Sequence, residues 1–442
     1  MRIPPFKELN APDKLGYWTN KQTGEKYGGQ YISPLLIPNL KKVEAGFKKA
    51  MKDKKFLAGL EEQLVNHIGI VTPILRSKEL EDLVGGGKKI GKIFLKRTDL
   101  HHDSSHKPVS AFSSVYFAKH ILKAKKIITE TGASMNARAV ASACAKLNLE
   151  CEVHIGALDA EKVSLNKDIT ELYGAKIVEC HDSTKTLLPA MAAALRSWQS
   201  DPSAMYVVGS CCGPHPYPLM VRTFASIIGR IAKKQMKDLT GRLPSTVFAV
   251  CGGGSNLSAI SYPYYKEKKV EIFGIESAGK GIASGAHAAT ITGKAPIGIL
   301  LGARSNVLMD SGGQINESHT EASGLIARLI KRITPMAYLF GTSALKSSTP
   351  IYPTTQLFLG HVTKDCLPTS LNIRNPPKIS VYICTGQPRP ILRWRLRVVM
   401  RFMRWYRYHT WTLEPTGQCT PRYSGALLRS ASRKQDWLAW VP

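Results

Sequence analysis

Three short stretches carry residue types in spacings that could do chemistry. The first is Val250-Cys251-Gly252-Gly253-Gly254-Ser255-Asn256, which follows an apolar run. Glycines leave backbone N–H groups open to an anion, and a helix starting at the serine adds its dipole. The string is neither G-x-G-x-x-G nor G-K-[ST], so the dinucleotide fingerprint and the Walker loop are both excluded. It reads as a lysine-free cup for a cofactor monophosphate, or as a flexible strand-to-helix turn. The second stretch is Glu130-Thr131-Gly132-Ala133-Ser134-Met135-Asn136. Its small residues at a helix start suit a carboxylate, and its plainer reading is a helix cap on Thr131 or Ser134. The third is His106-Lys107-Pro108. Pro108 fits a first helical turn, where a missing N–H costs nothing. A lysine there opposes the helix dipole unless something anionic or covalent holds it, and a Schiff base to an aldehyde cofactor would do so. Otherwise it is one more solvated lysine. The other glycine run, Gly85-Gly86-Gly87-Lys88, precedes a strand and reads as a loop.

The elements that must position these residues are legible as alternating patterns. Lys92-Ile93-Phe94-Leu95, Lys126-Ile127-Ile128-Thr129, Cys151-Glu152-Val153-His154-Ile155, Thr246-Val247-Phe248-Ala249-Val250 and Val270-Glu271-Ile272-Phe273-Gly274-Ile275 read as buried strands. Helix-length segments lie between several of them. Residues 137–147 carry Ala139, Ala141, Ala143 and Ala145, and residues 110–124 form another such stretch. Strand, turn and helix in repetition predict an α/β fold with mostly parallel sheets covered on both faces. In such sheets ligands bind beyond the C-terminal ends of the strands, where loops meet helix N-termini.

Composition sets the outer bounds. The chain has 442 residues, 43% hydrophobic and 21% charged, enough apolar material for a sizeable core. Nine cysteines over this length give no dense disulfide framework. No run of about 18 apolar residues reads as a membrane span. The start, Met1-Arg2-Ile3-Pro4-Pro5-Phe6, lacks the apolar run of a secretory signal. A cytoplasmic protein with reduced thiols is therefore expected. The 61 basic against 32 acidic residues leave a net charge of +29. From residue 391 onward the cations switch from lysine to arginine, among them Arg393, Arg395, Arg397 and Arg401, and five of the seven tryptophans lie there. That break marks residues 391–442 as an appendage.

Taken together, the order of lysine, carboxylate turn and glycine cup resembles the pyridoxal-phosphate enzymes of the fold-type II class. More closely, the chain is similar to the tryptophan synthase beta-chain family. The resemblance begins at Tyr27-Gly28-Gly29-Gln30-Tyr31 and Leu95-Lys96-Arg97-Thr98-Asp99-Leu100, then runs from residue 101 to about 324. Its most specific piece is Gly213-Pro214-His215-Pro216-Tyr217-Pro218 followed by Val221-Arg222. Gly241-Arg242-Leu243-Pro244, the glycine cup and Glu276-Ser277-Ala278-Gly279-Lys280-Gly281-Ile282 extend it. The resemblance implies two domains, approximately 1–72 with 106–224 and 73–105 with 225–390. It implies that Lys107 carries pyridoxal 5'-phosphate and moves the substrate α-proton. His106, Ser210 and Gly252-Gly253-Gly254-Ser255-Asn256 would hold the phosphate, and Thr385 would face the pyridine nitrogen. Thr131, Gly132 and Ala133 would take the amino-acid carboxylate, and Glu130 would face indole as acid or base. The implied reaction is β-replacement, in which L-serine loses water and indole adds to give L-tryptophan. A homodimer, a docking alpha chain and a monovalent cation complete what the family implies.

The chain departs from that family at identifiable places. Ser134, Met135 and Asn136 stand where it reads Gly-Gln-His, and Asp103, Ser104 and Ser105 stand where it reads Thr-Gly-Ala. Val109 replaces an asparagine, Gly312 an aspartate, and the segment 340–378 is shorter and lacks a glutamate near the cofactor ring. Asp103 would bring negative charge towards a phosphate. Two other readings follow: a catalytically impaired relative that keeps the fold, and a nucleic-acid-binding protein acting through its basic tail. The tail reads as a nucleic-acid-binding segment, a membrane-surface helix or a segment with no selected function, and its switch to arginine with aperiodic Trp, Pro and Cys favours the last.

Overall fold

The computed structural model describes residues 11–20, 23–85, 90–182 and 185–316, together with the backbone of strands at 351–354, 379–383, 411–413 and 419–421. Contact density separates Met1–Gln387 from Pro388–Pro442, close to the composition break. The second unit shows one antiparallel pair, Trp411–Leu413 with Cys419–Pro421. The rest of the arginine- and tryptophan-rich tail lies outside the described residues, as do Gly86, Gly87, Lys88 and Thr385.

Within the first unit, two sheets dominate. One has four parallel strands in the order Lys176–Cys180, Glu150–Gly156, Lys126–Thr131, Ala204–Val207. Its strands read as near-continuous apolar runs because both faces are covered: Ile127, Ile128, Thr129, Val153 and Met205 are all buried. The other has six strands in the order Ile351–Thr354, Glu271–Ser277, Thr246–Val250, Ile379–Ile383, Lys92–Lys96, Ile74–Arg76. All of these run parallel except Ile74–Arg76 at the edge. The run Ile379-Ser380-Val381-Tyr382-Ile383 is thus a central strand, in register with both Thr246–Val250 and Lys92–Lys96. A small antiparallel sheet joins Tyr17–Thr19, Lys26–Gly28, Ala303–Asn306 and Ile297–Leu300.

Each large sheet has its own apolar core. That of the four-stranded sheet includes Phe47, Phe112, Phe117, Trp198, Tyr206 and Phe224, and that of the six-stranded sheet includes Val247, Ala249, Leu257, Ile260 and Tyr264. Three helices matter for the site. Lys107–Phe117 begins at the lysine itself, three residues before the pattern places it, with Pro108 in its first turn. Met135–Leu147 follows the strand Lys126–Thr131, and Ser255–Ser261 follows Thr246–Val250. Among the described residues no helix is long and apolar enough to cross a membrane.

Candidate active site

The glycine cup is built as its residue types require. Gly254 has φ +88°, a left-handed conformation that glycine adopts without steric cost. At Gly253 an added Cβ would lie 2.3 Å from Ser210 Oγ, so the close approach of loop and cup depends on the missing side chain. The Ser255 hydroxyl is the meeting point. His106 Nε2 lies 3.0 Å from it, and Ser210 Oγ donates to it at 3.4 Å. Residues 149 positions apart in sequence thereby converge on one small space. Burial, reinforced by the charge of Lys107 and then by His101, holds the His106 imidazole neutral, its pKa well below the ordinary value. Among the described residues, His106 Nδ1 and Asn256 Oδ1 find no hydrogen-bond partner, and both are buried. Two serine hydroxyls, a glycine-rich turn at a helix start and a neutral imidazole form a set that suits a phosphate monoester, so these residues fit the phosphate of pyridoxal phosphate.

Lys107 stands next to this cup. Its Nζ donates to the carbonyl of Gly209 at 3.1 Å, and its backbone N–H donates to Ser105 Oγ at 3.2 Å. Across from it, Glu130 is only 5% exposed, and burial raises its carboxyl pKa to about 7. The Tyr206 hydroxyl lies beside that carboxyl, short of ordinary hydrogen-bond geometry, and Glu130 Oε2 has no partner among the described residues. A carboxyl so poised holds and releases a proton near neutral pH.

The carboxylate turn differs from the cup. Thr131 is buried, and a Cβ on Gly132 would touch Leu187 at 3.4 Å and Asp159 Oδ2 at 3.5 Å. The carbonyl of Ala133 accepts from the Met135 N–H at 2.9 Å. Ser134 occupies the N-cap position as the helix-cap reading expects, but it sits at φ +59° and its hydroxyl makes no capping bond. The turn keeps a left-handed residue where this chain has no glycine, which costs roughly 1 kcal/mol.

Asp103 does not carry a bare charge towards the phosphate. Its Oδ1 accepts from Arg138 Nη2 at 2.9 Å, from Arg138 Nε at 3.1 Å and from the Tyr173 hydroxyl at 3.2 Å. Asp103 and Ser104 both have positive φ, at 63° and 56°. The buried pair with Arg138 therefore pins a strained loop to the helix that follows the carboxylate turn. Val109 is packed in the core, and Asp310, two residues before Gly312, accepts from the Gln314 N–H at 2.8 Å within its own turn.

The structure thus brings together His106, Lys107, Ser210, Gly253 and Ser255 at the cup, with Glu130 and Thr131 at the end of the neighbouring strand. Sequence reasoning missed Tyr206, Gly209 and Arg138. Gly209 immediately precedes Ser210 at a strand's end, and that position was its one available signal. Tyr206 and Arg138 reach the site only through tertiary contacts and left none.

These features define a fold-type II pyridoxal-phosphate-dependent enzyme. The family described as "Pyridoxal-phosphate dependent enzyme" matches residues 65–315. The chain is 38% identical over 300 residues to the tryptophan synthase beta chain of Methylobacterium nodulans, covering 68% of this chain and 72% of that one. It is 38% identical over 303 residues to that of Methylobacterium radiotolerans, covering 68% and 73%. Among solved structures, a pyridoxal 5'-phosphate-dependent aspartate racemase superposes with a TM-score of 0.54 at 15% identity, covering 77% of this chain and 94% of that one. A threonine deaminase from T.th. gives 0.51 at 16% identity, covering 80% and 99%. These two likenesses bear on the fold alone. The chain belongs to the tryptophan synthase beta-chain family.

Proposed function

We propose that this chain joins L-serine and indole to give L-tryptophan and water. The observation that carries the reading is the convergence of Lys107 and Glu130 on the Gly209 peptide, one residue from Ser210 of the Ser255-centred cup. His106, Ser210, Ser255, Asn256 and the backbone of Gly252, Gly253 and Gly254 would hold the cofactor phosphate, and Thr385 its ring nitrogen. Pyridoxal phosphate, when bound, supplies an electron sink for the carbon that loses its proton. Thr131, Gly132 and Ala133 orient the serine carboxylate. Lys107 takes the proton from serine Cα and later returns it. Glu130 first gives a proton to the leaving β-hydroxyl, which departs as water. It then takes the proton that indole loses as the new carbon–carbon bond forms. A carboxyl near pH 7 can serve in both directions.

The same proposal divides the chain into domains 1–72 with 106–224 and 73–105 with 225–390, and includes a homodimer, an alpha-chain partner, a monovalent cation and a cytoplasmic location. A second reading, a catalytically impaired relative, is favoured by Ser134 at φ +59° and by the Asp159 carboxylate facing the turn. One assay decides between these readings and a simple lyase. The purified chain with cofactor, serine and indole should release tryptophan. Pyruvate and ammonia from serine alone, without tryptophan, would assign a β-elimination instead, and no turnover at all would favour the impaired relative.

A further inference from the structure

We propose that Asn136 is a positioning residue that holds Lys107 and Glu130 in register through the backbone of Gly209. The inference rests on the reading of the site given above, and its geometry is independent of the reaction assigned. Lys107 Nζ donates to the Gly209 carbonyl at 3.1 Å. An added Cβ on Gly209 would lie 2.3 Å from Asn136 Cγ and Oδ1 and 2.7 Å from Nδ2. The Asn136 amide therefore occupies the space that any other residue at 209 would fill. From there, Nδ2 donates to Thr129 Oγ1 at 2.9 Å and to the carbonyl of Glu130 at 3.0 Å.

The amide has a single orientation. Thr129 Oγ1 donates its one proton to the carbonyl of Val207 at 2.7 Å, so it can only accept from the asparagine. Oδ1 then packs against Gly209, buried and with no hydrogen-bond partner among the described residues, in a residue 6% exposed. One amide thus ties the strand Lys126–Thr131, through the Thr129 hydroxyl, to its neighbour Ala204–Val207, and packs against the peptide that receives the lysine. The Gly209 N–H also faces the Glu130 carboxylate, so rotation of this peptide disturbs both groups at once. Removing the amide releases the Gly209 peptide to turn away from Lys107.

The test reads Lys107 directly in the cofactor-free full-length chain. The pH midpoint for reductive methylation of Lys107, followed by mass spectrometry, is compared among wild type and three variants. Asn136→Leu should lower the midpoint by about one unit, because the ammonium loses its carbonyl acceptor. Asn136→Asp should raise it by about one unit, because an anion then packs against the peptide that receives the lysine. Asn136→His, whose ring N–H can still donate to Thr129 Oγ1 or to the Glu130 carbonyl, should restore the wild-type midpoint. If the Leu and Asp variants both titrate as wild type, the proposal is overturned, whatever happens to their melting temperatures. If Asn136→Leu does not fold, the near-isosteric Asn136→Asp decides alone. Should wild type make no tryptophan while the midpoints move in opposite directions, the reaction assigned above fails and this coupling stands.

Discussion

The glycine cup and the carboxylate turn are both strand-to-helix connections, and they reach their geometry by opposite means. In the cup, Gly254 takes the left-handed conformation and Gly253 leaves room for Ser210, so no strain is stored. In the turn, Ser134 takes a left-handed conformation with a side chain in place, and the neighbouring loop does so at Asp103 and Ser104. That second region holds together because a buried Asp103–Arg138 pair and the Asn136 amide stabilise it. A phosphate cup made of glycine tolerates little change, whereas a turn held by side-chain bonds can drift in sequence while keeping its shape.

The comparison can be broken most sharply at the cup. Gly253→Val places carbon against Ser210 and should weaken pyridoxal-phosphate binding about 100-fold, measured by cofactor titration; unchanged affinity would remove the cup from the account. At the head of the turn, the effect is one of charge. Because burial raises Glu130 from 4.5 to about 7, the folded chain holds an extra proton between those values. Stability therefore falls as pH rises through that window. Glu130→Gln should stabilise the cofactor-free chain at pH 8 by about 2 kcal/mol and leave it unaffected at pH 4, read by urea denaturation.

Within the turn, Ser134→Gly relieves the positive φ and should stabilise by about 1 kcal/mol. It should also lower the KM for serine with kcat little changed, and a loss of stability would contradict the strain. Outside both regions, Glu152 offers the smallest effect. Burial pulls its carboxyl upward, but hydrogen bonds from Lys126, Ser197 and His154 outweigh it and hold the pKa at about 2. The stability it contributes is present above pH 4.5 and lost as pH falls towards 2. Glu152→Gln should flatten that acid limb by roughly 1 kcal/mol, since solvent screens the cluster, and leave cofactor binding untouched.

How much of this was legible in the sequence follows from the range of each interaction. The strands at Lys126–Thr131, Thr246–Val250 and Glu271–Ser277 announce themselves locally, because burial on both faces demands unbroken apolar runs. The cup is local too, since three glycines after a strand serve few other purposes. Ser134 was recognisable as a departure at a position the family fills with glycine, and the turn holds it at φ +59°. Gly209 and Lys107 lie 102 positions apart, and Ser210 and Ser255 lie 45 apart. Their contact depends on how the two large sheets bring their C-terminal ends together, which no local pattern encodes. Thr385 falls outside the described residues, so its part in the site rests on the family resemblance.

The central claim is that this pocket presents one particular amine to pyridoxal phosphate. Borohydride reduction of the cofactor-loaded chain, followed by peptide mass spectrometry, tests it most directly. The account requires the pyridoxyl mass on Lys107, at one per chain. Label spread over surface lysines, or absent from the peptide that contains Lys107, would contradict it.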